Sequence, residues 1–118
     1  MEPFIYTLLR ADDWRAAEAA GAYDGSADDA RDGFLHFSTA AQVRASAAKH
    51  RGGVADLMLV EADTAALGAA LRWEPAAGSK RPGLFPHLYA ALPLSSVSRV
   101  VALPLGADGL HVFPAGFA

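Results

Sequence analysis

Gly33-Phe34-Leu35-His36-Phe37-Ser38-Thr39-Ala40-Ala41-Gln42 reads as a short strand running into the start of a helix. Side chains on a strand alternate faces, so Leu35 and Phe37 share one face and His36 and Ser38 the other. Thr39 and Gln42 have the spacing of a capping box, in which each side chain satisfies a backbone donor of the first helical turn. A titratable imidazole and a hydroxyl are thereby expected beside a helix N-terminus, where free N–H groups and the macrodipole favour anions. A structural histidine next to an ordinary helix cap satisfies the same pattern.

Working outward, residues 4–9 form a β-rich run, and Asp12-Asp13 supplies a helix start. Residues 14–20 predict a short helix that Gly21 ends. Trp14 and Ala17 are expected to face the core, and Arg15 to pair with Glu18 at i,i+3. The polar, acidic residues 23–32 predict a surface loop. On the other side, a helix over residues 40–50 places Val43, Ala47 and His50 on one stripe. Arg44, Lys49, His50 and Arg51 crowd its C-terminal half as a solvated basic face, and Gly52-Gly53 closes it. Residues 56–62 predict a strand, Asp63 or Thr64 the cap of a one-turn helix that stops at Gly68, and residues 70–75 another strand. Residues 76–83 carry Gly, Ser, Lys, Arg and Pro and predict a mobile loop. An extended run over 84–92 is broken by Pro93, and a strand over 98–105 is turned back by residues 106–109 into 110–113. This order predicts an α+β fold: one domain over residues 1–118, with a mixed or split β-sheet and two or three short helices.

Composition narrows the function classes. Among 118 residues, 53% are hydrophobic and 19% charged, with a net charge of −3, which fits a globular chain. It offers no global attraction for nucleic acid or anionic membrane. The absence of cysteine excludes disulfides, thiolate nucleophiles and cysteine-ligated metal centres. No secretory pattern and no apolar span of roughly 20 residues is visible, so a cytoplasmic protein without a nucleic-acid or membrane partner is expected.

Three predicted strands repeat one logic. His36 and Ser38 oppose Leu35 and Phe37; Arg72 and Glu74 oppose Leu71, Trp73 and Pro75; Phe85, His87 and Tyr89 oppose Leu88 and Leu92. If these strands are neighbours, their polar faces gather two imidazoles, a carboxylate, a guanidinium, a phenol and a hydroxyl into one cleft. Singly, each has a structural reading: Arg72 and Glu74 as an exposed pair, His87 as a strand-entrance histidine, Tyr89 as a core ring with its hydroxyl at the rim. His36, His87, His111 and Glu74 are conceivable metal ligands, but no pair has the close spacing of common sites, and none is assigned as a ligand. Ser38 has no nucleophile elbow around it, and neither a P-loop nor a dinucleotide fingerprint occurs.

The blocks Asp13-Trp14 with Ala16-Ala17 and Gly21-x-Tyr23, Gly33-Phe34-Leu35-His36-x-Ser38-Thr39, Arg72-Trp73-Glu74-Pro75, and Phe85-Pro86-His87-Leu88-Tyr89 with Leu92-Pro93-Leu94 resemble a small bacterial family, the domain of unknown function 952 family. The resemblance runs from Phe4 to about Leu103. It departs from the family at Ala90-Ala91, where a Gly-Pro-like step is usual. The resemblance implies an ADP-ribosyltransferase-like fold, in which packed, split sheets grip NAD. It implies a strand histidine with a small hydroxyl residue at a ribose, here His36 and Ser38, a stacking aromatic, here Tyr89 with Phe85, and a carboxylate, here Glu74. In that superfamily the order is His, Tyr, Glu, whereas Glu74 precedes Tyr89.

The leading expectation is a site for an NAD- or nucleotide-type small molecule, with ADP-ribosyl or phosphoryl transfer as its chemistry. His36, Glu74 and His87 are the candidate catalytic residues; Ser38, Thr39, Arg72, Phe85 and Tyr89 are the candidate ligand-binding residues. His36 would orient a ribose hydroxyl, Ser38 and the helix start would hold phosphate, Arg72 would neutralise charge, and His87 would serve as acid or base. The alternatives are a non-catalytic domain for a small metabolite or peptide and a metal-assisted hydrolase.

Overall fold

A computed structural model describes residues 2–76, 82–115 and 117. The loop expected at 76–83 lies largely outside the described residues. The chain opens with strand β1 (Phe4–Arg10), which passes without a break into helix α1 (Ala11–Ala20). The N-cap of α1 is therefore the last strand residue, Arg10, with no side-chain cap; Asp12 and Asp13 sit in the first turn. Gly21 ends the helix in the left-handed region (φ 84°), its N–H bonding the Ala17 carbonyl, as the sequence predicts. Arg15 pairs with Asp12, not Glu18.

Residues 23–32 are not a plain loop. Strand β2 (Ala22–Tyr23) is followed by helix α2 (Ala27–Asp32), closed at its start by a capping box between Ser26 and Asp29. A Cβ on Gly25 (φ 107°) would meet Leu35 Cδ2 at 2.6 Å and Asp29 Cβ at 2.8 Å. Only glycine lets the chain pass that close.

Strand β3 (Leu35–His36) leads into helix α3 (Ala40–Arg51), and the Thr39–Gln42 capping box is present. Strand β4 (Leu57–Asp63) ends on Asp63, whose carboxylate caps a 3₁₀ turn at Thr64–Ala66, with a second turn at Gly68–Ala70. Strands β5 (Leu71–Pro75) and β6 (Leu84–Leu88) follow. The extended run expected up to residue 92 divides. Leu92–Pro93 forms β7, where Pro93 pairs with Ala22 of β2 instead of breaking a strand. Pro93 fits because this two-residue pairing has no interior position needing its missing N–H. Strand β8 (Val97–Ala102) completes the set, and the C-terminal hairpin reduces to one bridge between Leu105 and His111.

The described strands form two three-stranded antiparallel sheets, β1-β4-β8 and β3-β6-β5, with β2-β7 as a small third. In the first sheet, β1 and the central strand β4 carry buried residues on both faces. Ile5, Leu9, Val60 and Ala62 pack with Leu35 and Leu88 of the second sheet and with Phe37, Ala17 and Tyr23. Tyr6, Leu57 and Leu59 pack with Val43 of α3, Leu103, Phe113 and Phe117. The strict alternation of a strand divides β1 and β4 between these two clusters. β5 lies at the edge of its sheet, so Trp73, on the face opposite Arg72 and Glu74, stays 39% exposed.

The two sheets join at Ser38, which exchanges both backbone hydrogen bonds with Tyr6 at 2.8 Å. Thr7 Oγ1 donates to the His36 carbonyl, and the Phe37 N–H to the Pro86 carbonyl. A cavity is left between β1, α2, the C-terminal half of α3 and the His36 face of β3-β6. Leu59→Ala, at the centre of the doubly covered sheet, is expected to lower the unfolding free energy by roughly 2–5 kcal/mol. Leu110→Ala, at an exposed position, should stay within about 0.5 kcal/mol. Denaturant melts of the two variants check the contrast.

Candidate functional site

The three polar strand faces do meet. β6 lies between β3 and β5, and the register sets His36 opposite His87 and His87 opposite Arg72, in one row across the sheet. Directly opposed residues in antiparallel strands point to the same face. Phe85 and Glu74 form the next row on that face.

His36 has both ring nitrogens committed. Nδ1 lies 2.5 Å from Asp29 Oδ1 and Nε2 lies 2.9 Å from Asp32 Oδ2. An ionised carboxylate only accepts, so both bonds exist together only when the ring is the imidazolium. The hydrogen bond that the ring donates to Asp29 leads in raising the His36 pKa above its ordinary value, against partial burial. Burial pushes the Asp29 carboxyl up, but the His36 ring and the Ser26 and His36 amides outweigh it and hold the group below the usual range. Asp32 is lowered chiefly by its hydrogen bond from Arg31, then by His36. His36 thus enters the site as a paired cation and not as a free base.

His87 is arranged differently. It is buried, its Nδ1 lies 2.9 Å from Glu74 Oε1, and the same oxygen accepts the Tyr89 hydroxyl at 2.6 Å. The Tyr89 and His87 hydrogen bonds hold the Glu74 carboxyl below its ordinary value. The Arg72 guanidinium lies over the Tyr89 ring at 4.8 Å. Phe34 stacks on the His87 ring at 4.0 Å between centroids and also contacts the His36 and Tyr89 rings.

The cavity has a volume of about 210 Å³, and of the sequence candidates His36, Ser38, Phe85 and His87 line it. Ser38 uses its hydroxyl on Ser46, 2.9 Å away, and is buried. Thr39 accepts the Gln42 N–H at its hydroxyl oxygen and does not line the cavity. The expected anion site at the start of α3 is therefore not where the cavity lies. Glu74, Arg72 and Tyr89 stand behind His87, outside the lining. Tyr89 is engaged by Arg72 and Glu74.

Lys49, His50 and Arg51, read from sequence as a solvated helix face, line the cavity, because α3 packs across the β1 side of the site. Asp28, Asp29, Arg31 and Asp32 of α2 line the same cavity. Asp29 and Asp32 are the functional candidates that sequence reasoning missed. The Ser26-x-x-Asp29 spacing was the available signal, since it marks a helix start within a stretch otherwise rich in turn residues. His111 points Nε2 at the Val54 carbonyl (2.7 Å), while its buried Nδ1 has no partner. Among the described residues no three His, Asp or Glu side chains converge as a metal-binding group.

The His36 clamp makes stability depend on pH in a defined direction. His36 is raised in the folded state, so its contribution is complete below the ordinary 6.5 and is lost as pH climbs through the raised value. Asp29 is depressed, so its contribution is complete above the ordinary 3.8 and is lost as pH falls through the lowered value. The pair therefore contributes fully between those two values. In Asp29→Asn the His36 titration should move back towards 6.5, with a loss of roughly 1–3 kcal/mol. Ring-proton NMR titration and denaturant melts at acid and alkaline pH check both; a wild-type ring titrating at or below the ordinary value would overturn the clamp.

Comparison with known proteins places this geometry in a family. Residues 8–100 match the family described as Protein of unknown function (DUF952). The crystal structure of protein CC0527 from Caulobacter crescentus is 41% identical, covers 92% of this chain and 93% of its own, and superposes with a TM-score of 0.85. The solution NMR structure of the same protein is 42% identical, covers 92% and 90%, and gives 0.81. No curated protein matches the chain. The ordered sequence blocks, the family match over most of the chain and the shared fold lead to one conclusion: the chain belongs to the DUF952 family of proteins of unknown function.

Proposed function

We propose that the cavity binds a nucleotide-type small molecule through a ribose-phosphate unit. The observation that carries this reading is that charges of both signs line one cavity. Lys49, His50 and Arg51 come from the end of α3, Asp28, Asp29 and Asp32 with Arg31 from α2, and His36 and His87 line the same space. Cations suit a phosphate, and carboxylates suit sugar hydroxyls, which donate to them. The division into two three-stranded sheets beside a polar cleft supports an ADP-ribosyltransferase-like reading of the fold.

Volume limits what is enclosed. About 210 Å³ lies below the roughly 300–1,000 Å³ of sites that swallow a drug-sized ligand. In this reading one ribose phosphate is enclosed and the rest of an NAD or ADP-ribose molecule extends out of the mouth. The phosphate contact belongs to the end of α3, not to its start. ADP-ribosyl or phosphoryl transfer is the reaction class that such a ligand brings, with His87 as the acid–base group. Glu74, in contact with His87 and not with the cavity, supports it from behind.

Thermal-shift and ligand-observed NMR measurements with ribose 5-phosphate, AMP, ADP-ribose and NAD test the reading. All four should bind, with ribose 5-phosphate retaining most of the affinity. Arg51→Ala should weaken each by about 10- to 100-fold, the worth of one charge-assisted hydrogen bond. Silence from all four in folded protein would overturn the nucleotide reading.

A further inference from the structure

We propose that Glu74 and Tyr89 are positioning residues that hold His87 in one tautomer, with Nδ1 protonated and Nε2 presented to the cavity as a proton acceptor. This rests on the cavity being the ligand site, and it adds which group handles a proton there and what prepares it. The argument begins with two histidines in one row of the sheet. His36 has a carboxylate on each nitrogen, so it has no lone pair to offer. His87 has a carboxylate on Nδ1 alone.

An ionised carboxylate accepts and never donates, so a neutral His87 must carry its proton on Nδ1 to keep the 2.9 Å contact with Glu74. That leaves the lone pair on Nε2. Nε2 has no hydrogen-bond partner among the described residues, yet it is not sealed in. The one buried, unpartnered side-chain nitrogen or oxygen among them is His111 Nδ1. His87 itself is 3% exposed and lines the cavity, so its remaining access is towards that space. The stacked Phe34 ring covers one face of the imidazole and holds its plane.

Tyr89 fixes the other end of the arrangement. Its hydroxyl donates to the same Glu74 Oε1 that faces His87, so one oxygen is held by a donor on each side. Glu74 is about a third exposed, and without that bond its side chain would exchange His87 for water. Arg72 above the Tyr89 ring adds a cation close to the carboxylate. When His87 takes a proton on Nε2 it becomes an imidazolium that keeps its Nδ1 proton. Glu74 stays ionised and matches the new charge, and the proton leaves later to product or water.

The test reads the ring itself and needs no ligand. Long-range ¹H–¹⁵N correlation spectra of ¹⁵N-labelled full chain, recorded at alkaline pH on the neutral ring, report which nitrogen carries the proton. Wild type should show mainly the Nδ1–H form. Glu74→Ala should move His87 mainly to Nε2–H, the form that exposed imidazoles favour. Tyr89→Phe, a conservative change at a half-exposed ring, should give an intermediate population and leave the His36 signals in place. An Nε2–H majority in wild type, or no change in Glu74→Ala, would overturn the proposal. If ligands fail to bind while the tautomer behaves as stated, the nucleotide reading falls and the positioning of His87 stands.

Discussion

Residues 36–38 are where two three-stranded sheets become one structure. Ser38 exchanges both backbone bonds with Tyr6, the His36 carbonyl accepts from Thr7, and the Phe37 N–H reaches Pro86. Buried backbone groups must be paired, so this short segment can satisfy its donors and acceptors only by lying between the sheets in this register. A slip of one residue would send His36 and Ser38 into the apolar cluster and turn Leu35 to the opposite face. The faces assigned by strand alternation are thus enforced by pairings on both sides.

Within that frame, environment and not residue type sets what each histidine does. His36 and His87 are cross-strand neighbours with ring centroids 5.8 Å apart. One is saturated by two carboxylates from α2 and anchors that helix to the sheet. The other is held on one side by β5 and retains a nitrogen. Paired titratable groups with divergent surroundings are a recurrent way of separating a structural charge from a reactive one. The capping box of α2 contributes to both jobs of Asp29, since its carboxylate closes the helix start through the Ser26 N–H and grips His36 with its other oxygen.

Much of this was legible in the chain. The alternation around His36, the Thr39–Gln42 cap, the Gly21 stop and the Asp63 cap are all present as read. So is the sharing of one face by His36, Arg72, Glu74, Phe85 and His87. α2 was lost because six residues are fewer than two helical turns, too few for an apolar period to show. Ser38 and Thr39 were over-read because a hydroxyl beside a helix start looks the same whether it awaits a ligand or is already spent on Ser46 or on a cap. The basic end of α3 was under-read because a charge run carries no mark of what packs opposite it.

The sequence by itself determined the local features: which segments extend or coil, where they stop, which side chains share a face, and to which family the ordered blocks belong. Those depend on neighbours within a few residues, so they can be read without the fold. The tertiary structure alone decided that α2 carboxylates enclose His36 and force its charge, that Glu74 and Tyr89 stand behind His87, and that Lys49, His50 and Arg51 look onto the same space. Such facts rest on pairings between distant segments, such as Thr7 with His36, 29 residues apart, and Tyr6 with Glu61, 55 apart. Their geometry exists only once the sheets have chosen a register, and a proton's position follows that geometry.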